Sequence, residues 1–575
     1  MTNRPRIQIS DVIALILEKY GVTHVFGVSG GASLHLLNSV QKNYNIKLIS
    51  THHEQSAAFA ADSISRISNS FGVAIATSGP GATNLLTGIA GCFFDSIPAL
   101  FITGQVSTNR QSGVSGVRQI GFQETNIVEM AKPITKLAVK VNDANQIPDI
   151  MKKLLNEAFS GRPGPVLLDI PDDIQREYIE FNIEDFAQDN VEFLENNEAG
   201  NAEYLISLIE ESNKPLLILG AGIKISRQEE LIRNFVKSVG IPAVCTWGCI
   251  DVLESTNPYK VGTFGTHGNR LSNEIIQQSD LIISIGSRLD LKATGTPAGN
   301  FAPSAKLVMI DIDFSEISKF KDRNVVGIIM DLRSKSFSNL LKRISLANGR
   351  KKNWVANISY LRSLLVEKRS SISSGVVEPY RFIEHLSDLA ESDSQIFTDT
   401  GCAVAWVMQN WKSKLGQTIL HDCNNTAMGW ALPAGIAGSA FNQDRQNIVI
   451  VGDGSFMMSM QEIFTASHLR LPIKIFILNN GGYSMIKQTQ DQWFYGDYFS
   501  SNAGTDLKFP NFEELASSAN INYVKLNSEL ALDYELKQFL NLPGPGICEV
   551  MIASNERVVP QVKFGNPINK MDPDL

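Results

Sequence analysis

The apolar residues of this chain fall into short continuous runs, and between them apolar positions return at helical spacing. The clearest case is residues 447–482, NIVIVGDGSFMMSMQEIFTASHLRLPIKIFILNNGG. Ile448 to Val451 reads as a buried strand ending in the turn Gly452-Asp453-Gly454. From Ser455 to Leu469 the spacing predicts one helix, and Pro472 then opens a second apolar run that ends in Asn479 and Asn480. A crossover of this length implies parallel strands. Asp453 and Asn480 then both lie at carboxyl ends, the edge where open α/β sheets bind ligands.

The same rhythm recurs along the chain. Residues 21–62 predict strand, glycine turn, helix, strand and helix, and GVAIATSGPGATNLLTGIAGCFFDSIPALFITG at 72–104 repeats the organising stretch in outline. SGRPGPVLLDIP at 160–171 echoes LNLPGPGICEVMI at 540–552, which indicates two related α/β domains bracketing a different one. The middle one opens with PLLILGAGIKIS after an acidic, Asn-rich linker near 184–203. A basic, Ser-rich segment from 334 to 374 leaves it. The expected architecture is three doubly wound parallel-sheet domains, at 1–185, 200–345 and 375–575.

At 575 residues the chain exceeds what one core holds. A net charge of −8 without a basic run gives no reason to expect a nucleic-acid partner. The N-terminus enters an amphipathic helix containing Asp11, Glu18 and Lys19, unlike a signal peptide, and nothing marks a membrane protein; a cytoplasmic enzyme is expected. Six cysteines, only Cys245 and Cys249 of them close together, read as buried free thiols.

Asp453 and Asn480 offer hard oxygen donors beside a glycine turn and a helix N-terminus, which suits Mg²⁺ on a diphosphate, with the Gly482 carbonyl as a third ligand. A Gly-Asp-Gly triplet alone is also an ordinary strand-end turn. Glu54, where the second strand ends, is locally either a helix cap or a functional carboxylate. His52 and His53 beside it are open between structural and functional roles. The polar loop at 104–124, GQVSTNRQSGVSGVRQIGFQE, is long enough to be functional.

GDG followed at this distance by NN resembles the diphosphate motif of thiamine diphosphate (ThDP) enzymes, and over nearly the whole chain the resemblance is closest to the acetolactate synthase group. It implies that the Glu54 carboxylate hydrogen-bonds the ThDP aminopyrimidine and drives it to the imino tautomer, with Pro80 and Asn84 nearby. The end of the polar loop implies Gln123 as the group that orients substrate and Phe122 as pocket wall. TDTGCAVAW and NNTAMGWALPAGIAG place Gly401, Cys402, Ala403, Thr426 and Met428 on ThDP, Met428 as the apolar wedge under it. Gly452, Asp453, Gly454, Ser455, Asn480, Gly482 and Tyr483 complete that set.

GTFGTHGNR, SIGSRLD and IDIDFSEISK resemble the flavin-binding domain of the same group. They imply FAD contacts from Arg162, Gly220, Gly222, Gly265, Thr266, His267, Ser287, Arg288, Asp290, Asp311 and Ile312. A middle domain without flavin is the alternative. The family also implies a homodimer or homotetramer, since its first and last domains meet across subunits.

The acceptor side departs from the synthases. Thr489 stands where they carry a Trp, Lys292 where they carry an Arg, Thr266 for a Met and Asp172 for a Lys. Gly31, Phe122 and Met485 join Lys292 and Thr489 in the expected substrate pocket. NNGGYSMIKQTQDQWF is similar to flavin-containing ThDP enzymes of surface-polysaccharide pathways that add a two-carbon branch to a CDP-linked keto-deoxysugar, as in yersiniose-type biosynthesis. The expected function is transfer of an acetyl equivalent from pyruvate to a carbonyl acceptor such as a nucleotide-linked keto sugar. Acetolactate synthase, simple 2-keto acid decarboxylase and a non-catalytic cofactor-binding homologue are the alternatives.

Overall fold

Each apolar run becomes a strand of one of three six-stranded parallel sheets, and helices cover both faces, so the strands carry no polar alternation. The computed structural model describes residues 5–68, 70–112, 116–186, 198–320, 325–367, 375–505 and 507–574.

With strands counted in chain order within each sheet, the first sheet runs 2-1-3-4-6-5 from His24–Gly27, Lys47–Ser50, Gly72–Ala76, Ala99–Gln105, Leu137–Lys140 and Val166–Pro171. The third sheet repeats that order with Gln395–Thr398, Thr418–Leu420, Asn447–Gly452, Ile473–Asn479, Asn522–Leu526 and Gly546–Met551. Both sequence echoes fall at equivalent places: a glycine turn follows each third strand, and a Pro-Gly-Pro segment leads into each sixth. The middle sheet runs 3-2-1-4-5-6 from Pro215–Leu219, Ala243–Cys245, Lys260–Thr263, Leu281–Ile285, Lys306–Asp311 and Val325–Ile329, the order of dinucleotide-binding sheets.

The two related domains share one core. Helix Glu54–Ile67 packs on helix Ala431–Phe441 through small residues, among them Ala57, Ala61, Ala434 and Ala437, all buried. The Ser63 hydroxyl donates to the Ala434 carbonyl at 2.9 Å. Beside them the buried Arg66 bridges Asp62 at 3.0 Å and Asp95 at 2.7 Å, and the Trp430 indole N–H donates to Asp62 at 2.6 Å. Removing one partner of such a buried pair costs about 3–5 kcal/mol, because a charge is left uncompensated.

Several expectations change. The helix expected over Ser455–Leu469 is two short ones, Asp453–Phe456 and Glu462–His468. Tight bonds from Met458 to Ser455, Ser459 to Phe456 and Glu462 to Ser459 separate them, and Met458 packs where Gly429 leaves no room for a side chain. A strand, Arg6–Gln8, precedes the first helix and pairs antiparallel with Tyr178–Glu180. The segment expected to leave the middle domain folds onto it instead: Phe337 and Leu341 enter its core, as do Trp354 and Ile358 from helix Lys352–Leu364. The chain's end also returns there, the Val562 N–H bonding the Thr266 carbonyl at 2.8 Å. Of the expected linkers, 187–197 and 368–374 lie outside the described residues, as does 113–115 of the polar loop.

Candidate active site

Both cofactor-type cavities open where strand order reverses, which places them at the carboxyl edge of neighbouring strands whose following loops diverge. In the C-terminal sheet these strands are Gln395–Thr398 and Asn447–Gly452. Asp453, 2% exposed, begins the short helix after the second of them. Its carboxylate accepts backbone N–H groups from Gly454 at 2.7 Å, Gly481 at 2.8 Å and Gly482 at 3.1 Å. Burial pushes the Asp453 carboxyl up to about 6 despite those donors. Asn480, directly after the next strand, is buried, and among the described residues its Oδ1 has no hydrogen-bond partner. Leaving such an oxygen unmade costs about 1–3 kcal/mol, which a cation would return. No cluster of three or more His, Cys, Asp or Glu forms a metal cage among the described residues. A lone carboxylate with an orphan amide oxygen and a nearby carbonyl suits Mg²⁺ that takes its remaining ligands from phosphate.

Gly401, Cys402, Ala403, Thr426, Met428, Gly452, Gly454, Ser455, Gly482, Tyr483 and Met485 line the same cavity as Asp453 and Asn480. A Cβ on Gly401 or Gly452 would meet no atom, so their backbone faces open space fit for a diphosphate, whereas one on Gly454 would collide with the Tyr483 ring. Burial raises the Cys402 thiol to about 12, which makes it inert rather than reactive. Thr489 does not line the cavity: its hydroxyl is turned to the Met485 carbonyl at 3.2 Å.

The N-terminal candidates form a second cluster. Glu54 is the first residue of its helix and not the cap; His53 caps it by accepting the Gln55 N–H at 3.0 Å. The Asn84 amide donates to Glu54 Oε2 at 2.9 Å, and the turn Gly79-Pro80-Gly81 passes so close that a Cβ on Gly81 would stand 3.1 Å from Oε1. Gln123 has a left-handed φ of 65° and packs over Gly79, itself at φ 63°. Glu54, Pro80, Asn84 and Gln123 are thereby assembled, while Gly31 borders open space. Phe122 is 84% exposed, so it walls no pocket within one chain. The His52 backbone N–H donates to Glu462 across the domain boundary at 3.0 Å, and the His52 ring meets Phe464 edge-on. No N-terminal residue lines the cavity around Asp453.

The middle-domain cavity opens between the ends of Pro215–Leu219 and Leu281–Ile285. Arg162, Gly222, Thr266, His267, Ser287, Arg288, Asp290, Asp311 and Ile312 line it. Gly220 and Gly265 do not. They are packing glycines: a Cβ on Gly220 would enter the Gly286 carbonyl, and Gly265, at φ 114°, presses on the Lys292 carbonyl. Burial lowers His267 to about 4, helped by the Lys292 charge, so a neutral imidazole faces the cavity. The sequence reading missed Trp247, which carries the Lys292 ammonium 3.9 Å above its ring. Trp247, His267 and Lys292 border both cavities and join them. No local pattern marks Trp247; only the fold brings it there.

Residues 7–130 match the N-terminal TPP binding domain of thiamine pyrophosphate enzymes, 202–340 their central domain and 399–550 their C-terminal TPP binding domain. The chain is 33% identical over 574 residues to acetolactate synthase 1, chloroplastic, of Nicotiana tabacum, covering 97% of this chain and 83% of the relative. It is 33% identical over 573 residues to acetolactate synthase, chloroplastic, of Arabidopsis thaliana, at 97% and 83% coverage. Against acetolactate synthase isozyme 2 large subunit of Escherichia coli (strain K12) it is 31% identical over 555 residues, covering 96% and 97%.

The chain belongs to the thiamine pyrophosphate enzymes. It is an acetolactate synthase-like member of that family, whose cofactor is the same molecule as ThDP. For a thiamine pyrophosphate enzyme, the open backbone at Gly401 and Gly452 and the orphan oxygen of Asn480 are the features a metal-bound diphosphate requires. Asp399, absent from the sequence-based set, braces this edge by accepting N–H groups from Gly429 at 3.1 Å and Ala431 at 2.9 Å. Among the described residues no helix is long and apolar enough to cross a membrane.

Proposed function

We propose that this enzyme is a decarboxylating carboligase of the acetolactate synthase type, taking a two-carbon unit from pyruvate and joining it to a carbonyl acceptor. The observation that carries the reading is the buried, partnerless Asn480 Oδ1 beside the Asp453 carboxylate, a site built for a metal on the ThDP diphosphate. ThDP, when bound, supplies the electron sink for loss of carbon dioxide. Asp453, Asn480 and the Gly482 carbonyl hold Mg²⁺, and Met428 supports the cofactor. Glu54, positioned by Asn84, holds a proton at its carboxylate against the cofactor's pyrimidine. Gln123 orients the substrate. The cavity walls exclude water, so that the two-carbon unit meets an acceptor rather than a proton.

Glu54 and Asp453 do not share a cavity within one chain, which supports an active unit of at least two copies, as homodimer or homotetramer. Nine of the eleven residues that the resemblance implies for FAD line the middle cavity, and with its dinucleotide-type strand order they support FAD there. A cytoplasmic location belongs to the same reading.

Acetolactate formation from two pyruvates is the reading that the relatives' names favour. A second acceptor class, a ketone of a nucleotide-linked deoxysugar, is favoured by Lys292. Its ammonium lies on the Trp247 ring, and a Lys cannot grip a carboxylate bidentately as a guanidinium does. The test supplies pyruvate alone, then pyruvate with 2-ketobutyrate, a simple aldehyde or a nucleotide-linked 4-keto-deoxysugar, and analyses products. Acetolactate from pyruvate alone supports the synthase. Adduct formed only with the keto sugar supports the second acceptor, and acetaldehyde as sole product overturns both.

A further inference from the structure

Lys487 occupies the first turn of helix Ser484–Trp493, the end at which the helix dipole disfavours a cation. The residue is 2% exposed, and among the described residues no hydrogen bond or ion pair engages its ammonium. Nζ lies 3.2 Å from the point a Cβ on Gly482 would occupy, directly against the residue whose carbonyl completes the metal site. The charges acting on it are Arg557 and Asp453. Arg557 is already neutralised by Asp491 at 2.6 Å. Among the described residues the Asp453 carboxylate has only backbone N–H partners. The buried Ser484 hydroxyl on the same helical turn has no partner among the described residues, and Ser484 lines the diphosphate cavity. An ammonium without an ion-pair partner among the described residues and a buried hydroxyl without a hydrogen bond thus stand behind the metal ligands, an arrangement that an arriving anion would satisfy.

We propose that Lys487 is a positioning residue that makes metal binding at Asp453 and Asn480 depend on the diphosphate. The inference rests on the metal and diphosphate reading given above. One carboxylate faces one ammonium, so their charges cancel before anything binds. A divalent cation entering alone leaves the site with uncompensated positive charge and is repelled by Lys487 in a low-dielectric setting. A cation entering with a diphosphate brings negative oxygens that satisfy Lys487 and the cation together. The side chain therefore selects the metal–diphosphate complex over the free metal, and it prevents a bare cation from filling the site.

The experiment measures Mn²⁺ binding by electron paramagnetic resonance and ThDP binding by calorimetry at saturating Mn²⁺, on the full chain and on Lys487→Met and Lys487→Arg. Wild type should bind Mn²⁺ weakly alone and ThDP well with Mn²⁺. Lys487→Met should bind Mn²⁺ alone about tenfold tighter and ThDP about tenfold weaker, opposite signs that a merely structural role would not produce. Lys487→Arg, which keeps the charge, should behave as wild type in both. Unchanged constants in Lys487→Met overturn the proposal, and so does parallel weakening of both ligands, which would assign Lys487 to the Gly482 turn alone. If wild type itself fails to bind ThDP with Mn²⁺, the reading of the site fails instead.

Discussion

The N-terminal and C-terminal sheets share the strand order 2-1-3-4-6-5 and a glycine turn after the third strand, yet the two turns do different chemistry. After Asn447–Gly452 the turn carries Asp453, Asn480 directly follows the adjoining strand, and both line one cavity. After Gly72–Ala76 the corresponding turn is Gly79-Pro80-Gly81, with no carboxylate of its own; the carboxylate is Glu54, delivered from the end of the second strand and held by the Asn84 amide. On the proposed reading, the same scaffold offers a metal site in one copy and a single oriented carboxylate in the other. What separates them is which position at the carboxyl edge bears the acid.

Breaking the C-terminal side should have the largest effect. Asp453→Ala is expected to lower turnover by about a thousandfold or more and to abolish metal-dependent ThDP binding by calorimetry, with an unchanged circular dichroism spectrum. Glu54→Gln should cost about 10²–10⁴-fold in kcat while ThDP still binds, because its carboxylate moves a proton and holds no metal. Mixing the two inactive variants sharpens the contrast. Activity should return in mixed oligomers, and its absence despite subunit exchange shown by native mass spectrometry would make each chain self-sufficient. A smaller difference is expected at the glycines. Gly454→Ala drives a methyl into the Tyr483 ring and should cost about 1–3 kcal/mol and weaken ThDP, whereas Gly79→Ala, pressing on Gln123 at a left-handed φ, should lower stability by a similar amount but raise KM.

The effect farthest from catalysis is in the pH dependence of stability. Asp169, on the sixth strand of the N-terminal sheet, accepts from Thr103 at 2.8 Å and Gln105 at 3.1 Å, and burial raises its carboxyl to about 6. The folded state then binds its proton more tightly than the unfolded chain does. This contribution is present at low pH and is lost as pH climbs from about 4 to about 6, by roughly 3 kcal/mol. Asp169→Asn should flatten that part of the urea-denaturation profile.

Fold class, the duplication and the carboxyl-edge placement of Asp453 and Asn480 were legible because parallel strands buried on both faces must be continuous apolar runs, and the loops after them must turn at glycine. Their neighbours in sequence carried the chemistry with them. The polar loop ending in Gln123 was legible as functional, but Phe122 was not placed by it, since exposure depends on what lies across the loop in three dimensions. Gly220 and Gly265 read like cofactor glycines and are packing glycines, because a sequence cannot distinguish backbone that approaches a ligand from backbone that approaches another loop. Trp247 under Lys292, Asp399 behind the diphosphate edge and the unpaired ammonium of Lys487 were decided by the tertiary structure alone. Local sequence sets where a chain can bend and which face it buries, whereas contacts between residues far apart in sequence exist only once the sheets have packed.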